Sequence, residues 1–204
     1  MGEIDQSVWA WEDSDQLLNK INSIAEKNWK SFGIQNRMTR VITKIGDMFS
    51  VVIDDHTKKY FQYVANDLTQ LNSDVIRAFK KSYPLSEKAV LPAIVKGEVE
   101  FYAHCVTKWG VKMNFWEKVG NCNDVGTVDV YFRGTNDYGH KVGEEPVKVS
   151  HNWYVWKIND DKFTSVGKLE GKYQKSEIGL VINPESIIYR MRTGEYDFKA
   201  YPSY

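Results

Sequence analysis

Past residue 40 the chain reads as short β-branched and aromatic runs separated by glycine or by small polar clusters, a texture that favours many short strands over long helices. Arg40 to Ile45 and Met48 to Ile53 are apolar and β-branched, with Gly46-Asp47 between them. Tyr60 to Ala65 follows, and the polar stretch from Asp54 to Lys59 suits a hairpin connection. Glu98 to Lys108, Val111 to Lys118, Thr127 to Arg133, Pro146 to Val149 and Asn152 to Ile158 continue the series. Gly97, Gly110, Gly120, Gly126 and Gly134 punctuate it. A short strand ending near Leu169 and another over Ile178 to Ile182 complete the set.

Three segments carry helical signals. Over Asp13 to Phe32, Leu17, Leu18, Ile21, Ile24, Ala25 and Trp29 recur at helical spacing. Asp13 and Gln16 form a capping box, Gly33 is a stop, and Trp9 and Trp11 stand ready to staple the entry. Asn72 or Ser73 to Ser82 reads as a second helix, with Val75, Ile76 and Phe79 on one face and Pro84 limiting its length. Asn183-Pro184 is an N-cap followed by proline at the first helical position, so Glu185 to Arg192 reads as a short helix stopped by Gly194. The fold class expected is α+β: a twisted, mostly antiparallel sheet or partly open β-barrel with an N-terminal amphipathic helix and two short helices. It forms a single domain over 1–204, with a helical segment at 1–33 and a β-rich body at 38–204.

Charge narrows the partners. Lysine plus arginine number 27 and aspartate plus glutamate 27, a balance that leaves no net field to attract nucleic acid or an anionic membrane. The first ten residues include Glu3 and Asp5 and lack a basic start and an apolar core, so they are not a signal peptide. The longest apolar runs fall far short of the ~20 residues a membrane span needs. Cys105 and Cys122 read as free thiols in a reducing compartment, so a cytoplasmic location is expected. Aromatic residues reach 14%, and without a basic groove they read as core and protein-interface residues rather than base-stacking ones.

Catalytic motifs are sparse: there is no phosphate-cradling loop, no G-x-S-x-G and no H-E-x-x-H. His56, His104, His140 and His151 stand singly. His104 and Cys105 are neighbours on a presumed strand and so point to opposite faces, leaving any partner of His104 to be supplied by folding. Asp129 with Glu145 and Lys148 is the one set that suits metal-dependent nuclease chemistry, two hard carboxylate ligands and a cation for developing charge. Its E-P-V-K spacing departs from E-x-K, which would place both side chains on one strand face. Tyr131-Phe132-Arg133-Gly134 has a slight likeness to the arginine strand of ADP-ribosyltransferases. The matching serine strand and [QE]-x-E are lacking around Ser165, Ser176 and Glu195, so Arg133 reads as a surface arginine lying over apolar neighbours.

Lys44-Ile45-Gly46-Asp47-Met48-Phe49, leading into Val51 to Ile53 and Tyr60-Phe61-Gln62-Tyr63-Val64, resembles the K-x-G-D-x-F opening of an immunity-protein family found beside bacterial polymorphic toxins. The likeness spans residues 40 to about 80. In physical terms Gly46 permits a tight turn, Asp47 bonds local backbone N–H groups and Phe49 points inward. What the resemblance implies is a non-enzymatic protein that covers the active site of a cognate toxin, with no cofactor, metal, nucleic acid or membrane involved. Acidic loops would meet a cationic cleft on the toxin, and Asp54, Asp55, Glu144 and Glu145 are the partner-binding candidates. The alternatives are the nuclease built on Asp129, Glu145 and Lys148, and a structural subunit of a phage or secretion assembly.

Overall fold

The K-x-G-D-x-F segment organises the first turn as its chemistry requires. In the computed structural model, which describes residues 40–138, 143–198 and 201–204, Gly46 has a φ of 91°. Its N–H reaches Tyr63 O at 2.8 Å, and a Cβ there would stand 2.9 Å from the Cys122 carbonyl oxygen. Asp47 accepts from the Lys44 N–H at 2.9 Å. Phe49 is buried and stacks on Phe61 at 4.9 Å. The turn feeds β1 (Asp47–Val52), which pairs antiparallel with β2 (Thr57–Asp67) through the expected hairpin. The expected strand over Arg40 to Ile45 does not form. Asp47 bonds back to Lys44 and closes a turn there, and Ile42 and Ile45 are exposed.

β3 (Ser73–Phe79) occupies the segment whose spacing predicts a helix, and the reason is burial on both faces. It lies between β2 and β5 (Val99–Cys105), antiparallel to each. A strand covered on two sides loses the alternation that marks a half-exposed one, so its apolar residues mimic a helical face. Asn72, at a φ of 44°, makes the turn into it.

The large sheet also holds β4 (Tyr83–Pro84), β6 (Glu117–Asn121) and β11 (Val181–Ile182). Its order is β11-β5-β3-β2-β1-β6, with β4 beside β2. A second, four-stranded sheet runs β10-β7-β8-β9, from β7 (Phe132–Thr135), β8 (Trp153–Trp156), β9 (Thr164–Gly167) and β10 (Glu177–Ile178). Among the described residues there are thus two open sheets rather than one sheet or a barrel, mostly antiparallel, with β10 and β11 as the parallel exceptions. These two strands are separated by only two residues along the chain and belong to different sheets, so the segment 177–182 stitches the sheets together. Gly179 between them permits this: a Cβ would fall 2.0 Å from the Trp156 ring and 2.9 Å from the Arg133 carbonyl oxygen.

Among the described residues three α-helices accompany the sheets: α1 (Leu91–Ile94), α2 (Thr107–Lys112) and α3 (Pro184–Thr193). α3 matches its sequence signals. Asn183 accepts from Ser186 N–H at 2.8 Å, Pro184 opens the helix, and Gly194 closes it at a φ of 86°. α2 replaces the end of the expected strand Glu98 to Lys108 and the start of Val111 to Lys118, because Asp74 on β3 caps Thr107 N at 2.8 Å. Pro146 to Val149 contributes only a single bridge, Val149 to Ser203, and Thr127 to Arg133 joins a ladder only from Phe132. The expected helix over Asp13 to Phe32, with Trp9 and Trp11, lies outside the described residues, as does His140.

Strand alternation sorts the core. Phe49, Val51, Phe61, Ile76, Phe101 and Ala103 face Ile187 and Met191 of α3. On the opposite face Met48, Tyr60 and Phe79 pack with Ile94 of α1, while Val64 and Val75 pack with Phe132 and Trp156 of the small sheet. Between these two apolar patches sits Arg77, buried, donating to Gln62 Oε1 at 2.9 Å and to the Asp124 carbonyl at 2.9 Å. Cys105 and Cys122 are both free, and burial, then the Asp74 charge, pushes the Cys105 thiol up. Among the described residues no helix is long and apolar enough to cross a membrane.

Candidate functional site

Asp54 and Asp55 occupy the tip of the β1–β2 hairpin. The Asp54 carboxylate accepts from the N–H groups of His56 (2.8 Å) and Thr57 (2.7 Å) and from the Thr57 hydroxyl (2.8 Å). These bonds, the His56 N–H first among them, hold it below the usual carboxylate range. Asp54 therefore builds the turn and keeps its charge, while Asp55 is exposed beside it. Val52 and Leu85, both exposed, border this tip; Leu85 N–H bonds His56 O, and Lys58 Nζ bonds Leu85 O and Glu87 O. Glu144 and Glu145 are exposed in the segment leading to β8, so the two acidic pairs belong to segments that flank different sheets.

Asp129 is exposed, and Lys157 takes it in an ion pair at 2.6 Å that lowers its pKa. Glu145 and Lys148 sit on the other side of β7 in sequence, and among the described residues no group of three His, Cys, Asp or Glu could hold a metal ion. His56 and His151 are exposed.

His104 does find partners. Its Nδ1 lies 3.0 Å from Ser73 Oγ and its Nε2 3.7 Å from Asp67 Oδ2. With the Ser73 hydroxyl donating to Nδ1, the ring proton is assigned to Nε2, facing the carboxylate. Serine, histidine and aspartate in this order invite comparison with a nucleophile triad, but the surroundings give the cluster another task. His104 and Asp67 are fully buried and Ser73 nearly so, and none of the three lines the cavities of about 570, 370 and 230 Å³ found among the described residues. Asp67 is occupied by the N–H groups of Thr69 and Gln70 and by the Trp156 indole N–H at 3.4 Å. His104 tilts against Phe132 at 4.1 Å. The cluster thus fastens β2, β3 and β5 to β7 and β8. Burial pushes the His104 imidazole down to about 4 against the pull of Asp67, so the ring is neutral at physiological pH.

Two cavities flank Lys175, Ser176 and Glu177. The larger, about 570 Å³, is bordered by Tyr102, Asp129, Tyr131, Lys157, Lys172 and Glu177. Two of its cations are engaged: Lys157 holds Asp129, and Lys172 donates to the Tyr131 hydroxyl at 3.3 Å and lies 5.0 Å from the Tyr173 ring. The smaller, about 370 Å³, lies between β7, β10 and α3 and is lined by Arg133, Lys175, Glu177, Arg190, Tyr196 and Tyr204, among others. Of these, Arg133 is the residue whose sequence context reads as strand-end surface. In fact its guanidinium lies 4.9 Å from the Tyr204 ring and 5.9 Å from that of Trp153, and it donates to the Ser176 carbonyl. Arg190, Glu177 and Tyr196 carried no local signal, because their meeting depends on how α3 docks on β5 and β10. Both tryptophans of Trp153-Tyr154-Val155-Trp156 are buried, since this strand too is covered on both faces.

Searches against protein-family models, curated proteins and solved structures find no match for this chain.

Proposed function

We propose that the protein is a non-enzymatic binding module that presents its acidic β1–β2 tip to a basic surface of a partner protein. Neutralisation of a cognate bacterial toxin in the cytoplasm, the role implied by the Lys44–Phe49 likeness, is the specific form of this reading. One observation carries it: the tip is pre-ordered. Asp54 spends its carboxylate on three turn bonds, so Asp55 is displayed on a loop that has little conformational freedom left to lose on association. Exposed Val52 and Leu85 beside the acids supply apolar area within a charged rim, the usual composition of a protein interface. Glu144 and Glu145 form a second acidic pair that the same experiment separates from the first.

The test is size-exclusion chromatography and titration calorimetry with the toxin encoded beside this protein. A 1:1 complex is expected. Asp55→Lys should weaken it by about tenfold or more, mainly through the association rate and with strong salt dependence. Absence of a complex refutes the reading. A complex indifferent to Asp55→Lys but weakened by Glu144→Lys/Glu145→Lys moves the interface to the second pair.

A further inference from the structure

The cavity of about 370 Å³ beside α3 carries donors with nothing to donate to. Arg133 Nε and the Tyr196 hydroxyl are both buried without a hydrogen-bond partner. Arg133 has no carboxylate partner among the described residues, although its neighbour Arg190 is matched by Glu177 at 2.7 Å. Leaving one buried donor unsatisfied costs about 1–3 kcal/mol, and native proteins rarely accept two at one place unless something else fills the role. Lys175 lies exposed at the rim with no ion pair among the described residues. Arg133, Lys175 and Arg190 set against Glu177 and Glu195 leave one positive charge in surplus along the wall.

The walls also have a shape preference. Tyr196, Phe198, Tyr201 and Tyr204 line the cavity, and Tyr196 and Phe198 are stacked on each other at 4.9 Å. Burial pushes the Tyr201 hydroxyl up to about 12, so it stays neutral, and it donates to the Arg133 carbonyl at 3.2 Å. A space of this size falls at the lower end of the range for small-molecule sites, roughly 300–1,000 Å³. The neighbouring larger cavity shares Lys175, but its other two lysines are engaged by Asp129 and Tyr131, and neither Arg133 nor Tyr196 lines it.

We infer that this cavity is a binding site for a small aromatic oxyanion, a carboxylate or phosphate on a planar ring, with Arg133 and Tyr196 donating to the anion and the tyrosine rings packing on the body. The site is independent of the acidic hairpin tip, so it stands or falls separately from the partner-binding reading.

Calorimetric titration of the full chain with phenyl phosphate, benzoate and inorganic phosphate tests it. Saturable binding of phenyl phosphate or benzoate is expected, with inorganic phosphate at least about tenfold weaker because it lacks the ring. Tyr196→Phe removes a hydroxyl that donates to nothing in the protein and has only the Arg190 guanidinium as a polar neighbour, so it should move the melting temperature little while weakening phenyl phosphate about tenfold. Arg133→Gln should weaken it at least as much. Lys172→Gln, which borders only the other cavity, should leave it unaltered. The inference is overturned by no saturable binding of any probe up to about 10 mM, by equal affinity for phenyl and inorganic phosphate, or by binding indifferent to Tyr196→Phe.

Discussion

Acid should loosen this protein through His104 before it reaches the carboxylates. The imidazole is fully buried, and its folded-state pKa of about 4 lies below the ordinary 6.5 that it regains on unfolding. Burial, the larger effect, disfavours the charged ring; the Asp67 carboxylate 3.7 Å away favours it and only partly offsets burial. Between these two values the unfolded chain binds a proton that the folded chain refuses, so stability falls as pH drops through the window from 6.5 to 4 and is flat for this group above it. Integrated, the loss is about 2 kcal/mol by pH 5 and about 3 kcal/mol by pH 4, at ~1.36 kcal/mol for each tenfold in proton activity. For a chain of this size, 2 kcal/mol corresponds to a fall of roughly 4–8 °C in Tm. Urea denaturation of the wild type and His104→Gln at pH 7.5 and 5.0 isolates the effect. The variant is weaker at neutral pH but lacks the titration, so its loss on acidification should be smaller by about 2 kcal/mol. Equal losses in the two proteins would refute the reasoning, as would a His104 NMR titration with a midpoint near its ordinary 6.5.

Gly179→Ala places a methyl 2.0 Å from the Trp156 ring with the Arg133 backbone blocking retreat, and should destabilise by about 3 kcal/mol in the same urea assay. Asp74→Ala removes the acceptor of the Thr107 N–H and hydroxyl at the start of α2, and a loss of about 1–2 kcal/mol is expected in thermal melts. Lys80→Ala breaks an ion pair with Glu98 whose side chains are 61% and 70% exposed and solvent-screened, and should leave the urea midpoint unchanged within error.

Features whose causes are local were legible from the residues. The Asn183 cap, Pro184 and Gly194 stop of α3 interact within a turn of each other, as do Gly46 and Asp47 before β1 and Asp54 in the hairpin tip. Each of these is governed by a φ preference or by a bond spanning three residues or fewer, so no knowledge of the rest of the chain is needed.

Features whose causes are distant were not. β3 became a strand because β2 and β5 pair with it on either side, and covering both faces removed the alternation that would have announced it. α2 begins where it does because Asp74, 33 residues earlier, supplies the cap. His104 met Ser73 and Asp67, Arg133 met Tyr204, and Arg190 met Glu177 through strand order and the docking of α3. Burial is a collective property: a side chain's desolvation, and with it the charge of His104 or the unused donor of Arg133, is fixed by neighbours that the linear order of residues does not place beside it.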